Sequence, residues 1–222
     1  MSYDHLIHME TWVFDLDNTL YPVELNLFDQ IDKRMCGYIA DYLQIDHAEA
    51  YKVQKSFFRE HGTSLKGMMD VHDMDPGPYL DYVHDIDFDA VVPDARLDAA
   101  LSVLKGRKVV FTNAATKYAE RVLDRLGIRH HFDGVFDIVD ADYRPKPDPA
   151  VYDKVVEVFD FDPANAIMVE DIARNLKPAA EMGMKTVWVM TDRPWAHTEA
   201  ETANPDYHTN SLSAWLAEVT GV

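Results

Sequence analysis

The sequence predicts an α/β fold in which a doubly wound, mainly parallel, Rossmann-like sheet carries an inserted helical module. Two observations predict the sheet. Short and almost continuously apolar runs recur along the chain, and amphipathic helical segments of about ten residues separate them. A third observation predicts the insertion, because about 70 residues after the first apolar run contain no strand pattern.

The elements of the core alternate in chain order. Five strands are predicted over 11–14, 108–111, 134–139, 166–169 and 185–189. Helices are predicted over 94–105, 115–126, 148–159 and 172–182, with a final short helix over 211–219. Strands that alternate with helices build βαβ units, so we expect a parallel sheet with helices on both faces.

The inserted segment 21–92 is expected to be helical. Leu25 to Leu43 has a helical pattern, and Asp46 with Glu49 forms a capping box that opens a second helix. Regular alternation resumes at Pro93. The predicted organisation is therefore a core built from 1–20 and 93–222, with a helical domain over 21–92 inserted after the first strand.

Composition limits the classes of function. The 222 residues include 39 acidic and 21 basic side chains, so the formal net charge is 21 − 39 = −18. This acidity disfavours polymeric nucleic acid and an anionic membrane surface as partners. The single cysteine, Cys36, excludes an intramolecular disulfide. The sequence has no long apolar run and no apolar signal-peptide core, so we expect a cytoplasmic protein; its oligomeric state stays open.

Polar side chains stand beyond four of the predicted strands. Ligands of open α/β sheets bind beyond the carboxyl ends of the strands, so these groups are candidates for one site. Each group alone is common as a helix cap or a turn, but four in succession indicate an active site. In chain order they are Asp15 with Asp17, Thr112 with Asn113, Lys146 between two prolines, and Glu170 with Asp171.

These four groups resemble, in order, the four motifs of the haloacid dehalogenase-like hydrolase superfamily. The first motif matches Asp15-Leu16-Asp17-Asn18-Thr19, and the resemblance covers essentially the whole chain. It implies that Asp15 is a nucleophile that forms an aspartyl-phosphate. It implies that Asp17 protonates the leaving group and then activates water.

The resemblance also implies a cofactor and a phosphate site. Mg²⁺ is expected to be held by the Asp15 carboxylate, the backbone carbonyl of Asp17, Glu170 and Asp171. The transferring oxygens are expected to be stabilised by Thr112, Asn113 and Lys146. The acidity of the chain is compatible with a small phosphorylated metabolite as substrate, because these carboxylates recruit the cation that meets the phosphate.

The inserted segment resembles the helical cap of this superfamily, which closes over the site. Parts of it, 61–68, 72–76 and 79–84, resemble the pyrimidine 5′-nucleotidase branch, as does the opening 15–22. The resemblance implies a nucleoside 5′-monophosphatase that prefers pyrimidines. Lys66, His72 and Tyr79 are the candidate substrate contacts in the cap, although Tyr79 also fits a packing face of a helix.

Three other functions stay open from the sequence. The first is a phosphatase of sugar phosphates or other small metabolites. The second is a sugar phosphomutase, which would share Asp17 with a phosphatase. The third is a catalytically silent nucleotide-binding protein, against which the four complete motifs argue.

Overall fold

A computed structural model describes residue 3 and residues 5–222. Six strands form one sheet in the order β3-β2-β1-β4-β5-β6, and each neighbouring pair is parallel. The predicted α/β class with a parallel sheet is thus confirmed. The strands are β1 (Thr11–Phe14), β2 (Arg107–Phe111), β3 (Gly134–Phe136), β4 (Ala166–Glu170), β5 (Lys185–Val189) and β6 (Tyr207–Thr209).

Ten α-helices accompany the sheet in the described part of the chain, and five of them lie between β1 and β2. Of these five, α1 packs against α2 and α4, and α2 packs against α3. The helices are α1 (Leu27–Leu43), α2 (His47–His61), α3 (Ser64–His72), α4 (Pro76–Val83), α5 (Ala95–Val103), α6 (Thr116–Leu126), α7 (Pro149–Phe159), α8 (Ala173–Glu181), α9 (Ala200–Ala203) and α10 (Leu212–Thr220).

The sheet is covered on both faces, as a buried parallel sheet requires. Along β1 the side chains alternate, so Phe14 belongs to one apolar cluster and Val13 to another. The cluster of Phe14 includes residues of α5, α6 and α10. The cluster of Val13 includes residues of α7 and α8. Burial on both faces explains why β1 and β4 are apolar along almost their whole length.

The register of the central strands brings three strand ends to one level. Phe14, the last residue of β1, pairs with Val110 of β2 and with Val169 of β4. The residues that follow each of these positions therefore meet at the same edge of the sheet. This edge is where the polar groups of the first, second and fourth motifs lie.

Two strands differ from the sequence prediction, and the short helix α9 was not predicted. The third strand ends at Phe136 because Asp137 turns the chain: its carboxylate accepts hydrogen bonds from the backbone N–H groups of Val139 and Asp140 at 2.8 Å. The sixth strand, Tyr207–Thr209, is short and was not predicted. It forms as a strand by pairing with β5, a contact that no local pattern reveals.

Among the described residues, no helix has both the length and the apolar character needed to cross a membrane.

The turn into β2 predicts a stability difference between two glycines. Gly106 has φ +85°, and a Cβ there would lie 2.6 Å from the Glu10 carbonyl oxygen. Gly183 has φ +94°, and a Cβ there would meet nothing within 4 Å. We expect Gly183→Ala to lose about 1 kcal/mol of unfolding free energy from backbone strain alone. Gly106→Ala adds a backbone clash and should lose about 3 kcal/mol.

Urea denaturation of both variants measures this difference. Gly183→Ala is the matched control, since it carries the strain of the same left-handed backbone conformation without the clash. Equal losses in the two variants would contradict the close approach of Gly106 to the start of β1.

Candidate active site

Lys146 lies at the centre of the polar groups at the carboxyl edge of the sheet. Its side chain is 2% exposed. The ammonium donates to Oδ1 of Asp15 at 2.7 Å, to Oε2 of Glu170 at 2.7 Å and to the carbonyl oxygen of Phe111 at 2.9 Å. All three protons of the ammonium are therefore used. One side chain joins the ends of β1, β2 and β4 to the loop that follows β3.

The surroundings of Lys146 keep it charged. Burial by itself disfavours the ammonium, but the carboxylates of Asp15 and Glu170 outweigh it and raise the pKa of Lys146 above its usual range. A buried ammonium of this kind stays protonated and does not transfer its protons. Its role in the site is to compensate negative charge.

Asp15 follows β1 directly and is 6% exposed. Burial, with the neighbouring charge of Glu170, raises the pKa of Asp15 to about 7, although Lys146 opposes this shift. Burial and Glu170 also raise the pKa of Asp171 well above its usual range. Several carboxyl groups thus lie close together, and the single charge of Lys146 compensates only part of their negative charge.

Three of these carboxyl groups fit a cation. Asp15, Glu170 and Asp171 each offer a ligand oxygen, and these oxygens lie within 4.8 Å of one another. Oδ2 of Asp171 is buried and has no hydrogen-bond partner among the described residues. The same holds for Oδ1 of Asn175, in the first turn of α8. Oxygen atoms without partners in an acidic cluster are the donor set that a hard cation such as Mg²⁺ prefers.

Asp17 lies beside this cluster and is held by two tyrosines. The hydroxyl of Tyr21 donates to Oδ1 of Asp17 at 2.5 Å, and the hydroxyl of Tyr118 donates to the same oxygen at 2.7 Å. Burial raises the pKa of Asp17, while the two phenol hydrogen bonds and Lys146 oppose the rise. A carboxyl group with a raised pKa is suited to proton transfer.

Thr112 and Asn113 follow β2, and the structure assigns each a clear local contact. The Thr112 hydroxyl is buried and accepts a hydrogen bond from the backbone N–H of Ala114 at 3.0 Å. Oδ1 of Asn113 accepts from the backbone N–H of Lys146 at 2.9 Å. The Asn113 side chain therefore positions the loop that carries Lys146.

The three residues predicted as substrate contacts in the cap lie in different surroundings. Lys66 pairs with Asp70 one turn along α3. His72 is exposed at the end of α3, beside Phe57. Tyr79 is 1% exposed and packs edge-on against Tyr38, 5.1 Å between ring centroids. Within the described residues, no hydrogen bond or ion pair links these three to the carboxyl-edge site.

Contacts between the inserted segment 21–92 and the core include the following three. Gly62 approaches the loop of Lys146 so closely that a Cβ would lie 2.9 Å from Cγ of Pro145. The Phe58 ring of α2 lies 4.8 Å from the Arg174 guanidinium carbon of α8. His84, at the end of α4, stacks on Tyr118, with ring centroids 4.6 Å apart.

Tyr21, Tyr118, Arg174 and His84 were not predicted as site residues. Tyr21 had a signal in the sequence, since it follows Asp17 by four residues in the first motif. Tyr118 and His84 had none, because their place in the site depends on how α6 and α4 pack. Burial lowers the pKa of His84 to about 4, so its ring is neutral at physiological pH.

The chain is similar to known hydrolases in sequence and in fold. The family model of haloacid dehalogenase-like hydrolases matches residues 9–183. Phosphate metabolism protein 8 of Saccharomyces cerevisiae is 28% identical over 197 residues, which cover 79% of this chain and 60% of that protein. The chain thus spans only about 60% of the length of this curated relative.

Solved structures share the fold. A haloacid dehalogenase-like (HAD) phosphatase from Thermococcus onnurineus has a TM-score of 0.61 and 20% identity, covering 96% of this chain and 98% of its own. The putative HAD-hydrolase YfnB from Bacillus subtilis, bound to magnesium, has a TM-score of 0.62 and 15% identity, covering 97% of this chain and 100% of its own. The family model matches most of the chain, and the chain belongs to the haloacid dehalogenase-like hydrolase family.

Proposed function

We propose that this hydrolase is a Mg²⁺-dependent phosphomonoesterase that acts through an aspartyl-phosphate on Asp15. The observation that carries the proposal is the bond from Lys146 to Oδ1 of Asp15, with a second acid, Asp17, two residues along the chain. This bond leaves Oδ2 of Asp15 as the attacking oxygen. Asp17 supplies the separate acid that protonates the alkoxide leaving group as the phosphoryl group is transferred to Asp15.

The proposed reaction has two steps. In the first, the Asp15 carboxylate attacks phosphorus, the bond from phosphorus to the ester oxygen breaks, and Asp17 gives its proton to that oxygen. In the second, Asp17 takes a proton from water as the water oxygen attacks phosphorus, and the bond to Asp15 breaks. The products are an alcohol and inorganic phosphate, and Asp15 and Asp17 return to their starting protonation states.

The charge of the site explains why a cation is expected. Asp15, Asp17, Glu170 and Asp171 carry four negative charges when ionised, and Lys146 carries one positive charge, so the balance is −4 + 1 = −3. A phosphate dianion adds to this repulsion. When bound by Asp15, Glu170, Asp171 and the Asp17 carbonyl, Mg²⁺ supplies positive charge that offsets the repulsion between nucleophile and phosphate. In this proposal the charge of Lys146 and the hydroxyl of Thr112 stabilise the remaining phosphate oxygens.

The proposed substrates are nucleoside 5′-monophosphates, with a preference for pyrimidines. The support is the resemblance of the cap segment 61–68, together with its position: Gly62 lies against Pro145, directly beside Lys146. Residues near Gly62, Lys66 among them, are therefore candidates for contact with the part of the substrate beyond the phosphate. His72 and Tyr79 lie further along the same inserted segment.

Replacement of the nucleophile tests the mechanism. Asp15→Asn should reduce Mg²⁺-dependent phosphate release at least about a thousandfold, because the amide cannot form the acyl phosphate. Asp153→Asn, an exposed aspartate on α7, is the matched control and should keep wild-type activity. Substantial activity in Asp15→Asn would exclude the aspartyl-phosphate mechanism.

A panel of phosphate esters tests the substrate class. Phosphate release with Mg²⁺ should be fastest for pyrimidine nucleoside monophosphates, slower for purine nucleoside monophosphates and slowest for sugar phosphates. Equal or faster turnover of sugar phosphates would reject the nucleotidase assignment and keep the phosphatase. Movement of phosphate within a sugar phosphate without release would indicate a mutase, and inactivity across the whole panel would indicate a binding protein.

The raised pKa values predict how metal binding depends on pH. The pKa of Asp15 rises from 3.8 to about 7 in the folded, metal-free protein, so folding retains a proton that the unfolded chain releases. The metal-free protein should therefore lose stability between about pH 4 and 7. Mg²⁺ needs the ionised carboxyl group, so its apparent affinity should rise by up to about tenfold per pH unit over that range.

Thermal unfolding with and without MgCl₂ at pH 5.5 and pH 8 measures this linkage without an activity assay. The rise in Tm caused by Mg²⁺ should be larger at pH 8. Asp171→Asn should lose the rise, and Asp153→Asn should keep it. A rise of equal size at both pH values, or one that persists in Asp171→Asn, would contradict the assigned ligands.

A further inference from the structure

Two phenol hydroxyls converge on one oxygen of Asp17. Tyr21 lies one turn beyond Asp17 and donates to Oδ1 at 2.5 Å. Tyr118 lies in the first turns of α6, 101 residues away in sequence, and donates to the same oxygen at 2.7 Å. The two hydroxyl oxygens are 3.3 Å apart. Both rings are buried, at 1% exposure each.

The arrangement determines which oxygen of Asp17 can carry a proton. Each phenol has one hydroxyl proton, and both protons point to Oδ1, so Oδ1 acts only as an acceptor. A proton on the Asp17 carboxyl group is therefore carried by Oδ2.

The charged groups around Asp17 do not orient its carboxyl group as the two tyrosine hydrogen bonds do. The groups that act on Asp17 besides the tyrosines are Lys146, Glu170 and Asp15. The Lys146 ammonium has its three protons engaged by Asp15, Glu170 and Phe111. Its hydrogen bonds therefore do not orient Asp17. Tyr21 and Tyr118 are the described side chains that hydrogen-bond to this carboxyl group.

The inserted segment 21–92 also contacts Tyr118. The imidazole of His84 stacks on the Tyr118 ring at 4.6 Å between centroids, with 16° between ring planes. Phe88 also packs against this ring, at 5.9 Å. Contact between the inserted helices and α6 thus restricts the tyrosine that holds Asp17.

We propose that Tyr21 and Tyr118 are positioning residues that fix Asp17 so that its Oδ2 delivers the proton to the leaving alkoxide. The inference rests on the proposed phosphomonoesterase function. During the step, the Oδ2 proton moves to the ester oxygen as the bond from phosphorus to that oxygen breaks. The phenol protons stay on the tyrosines and hold the carboxylate that results. Neither tyrosine touches the phosphoryl group.

The leaving group provides the test. An alkoxide leaving group, as in a nucleoside 5′-monophosphate, needs protonation, whereas p-nitrophenolate leaves readily without it. Tyr21→Phe and Tyr118→Phe should each lower kcat/KM for a nucleoside 5′-monophosphate at least about tenfold, because general acid catalysis contributes about a hundredfold or more. For p-nitrophenyl phosphate the loss should stay within about threefold, since the acid is then dispensable. If the tyrosines had a merely structural role, kcat/KM would fall to the same extent for both esters.

A double-mutant cycle tests whether the tyrosines act through Asp17. Asp17→Asn should show the same discrimination between leaving groups, and more strongly. Adding Tyr118→Phe to Asp17→Asn should then lower kcat/KM for the nucleotide by less than about threefold further, because the acid that the tyrosine orients is already absent. Full additivity of the two substitutions would overturn the proposal.

Tyr207→Phe is the matched control. It also removes a hydrogen-bonded phenol hydroxyl, but its partner is His5 and its place is β6 at the edge of the sheet. It should keep wild-type values for both substrates. Circular dichroism and Tm show whether each variant folds, and if one tyrosine variant does not fold, the other carries the test.

The outcomes separate the two proposals. If wild-type protein releases no phosphate from either ester, the proposed function fails. In another outcome, wild type is active while both tyrosine variants keep its kcat/KM, or lose kcat/KM equally for the two esters. Either result rejects the positioning role and leaves the phosphatase function standing. Selective loss for the alkyl ester in the tyrosine variants, absent in Tyr207→Phe, supports the role.

Discussion

The buried ammonium of Lys146 is the interaction on which the site depends. Asp15, Glu170 and Asp171 lie within a few ångströms of one another and are all buried, and burial of such a group without compensation is costly. Lys146 binds two of the three directly and a strand carbonyl as well. It therefore ties the carboxyl ends of β1, β2 and β4 together. Because its charge balances only part of the cluster, the remaining negative charge is available to a divalent cation.

The topology explains why residues so far apart in sequence meet at this point. β1 is central, with β2 on one side and β4 on the other, and all three strands run parallel. Their carboxyl ends therefore open on one edge, and the loop after β3 brings Lys146 across it. The sheet is held by apolar side chains that alternate between its two faces, so each strand position has a fixed direction. Rigid packing below the site keeps the acid pair after β1 in register with the acids after β4.

Much of the core could be predicted because its signals are local. Five of the six strands and most of the helices that follow them have clear periodicity. Asp15 and Glu170 stand at the ends of strands that must meet, and Lys146 lies in the loop after the third strand. The third strand was predicted too long because Asp137 turns the chain through hydrogen bonds that hydrophobicity does not report. The sixth strand, Tyr-His-Thr, has no apolar pattern and owes its strand conformation to β5. The net charge of −18 was also informative, since four of those acids are the predicted site residues themselves.

The sequence by itself determined the class of fold, the order of the motifs and the chemical groups at the strand ends, because these follow from short-range periodicity and from residue type. Only the tertiary structure decided which partners those groups have. Tyr118 reaches Asp17 across 101 residues, and Gly62 reaches the loop of Lys146 from an inserted helix pair. Tyr79, a candidate contact by sequence, lies instead in the packed interior of the inserted helices. Contacts of this kind depend on how elements pack in three dimensions, and the spacing of residues along the chain does not reveal them.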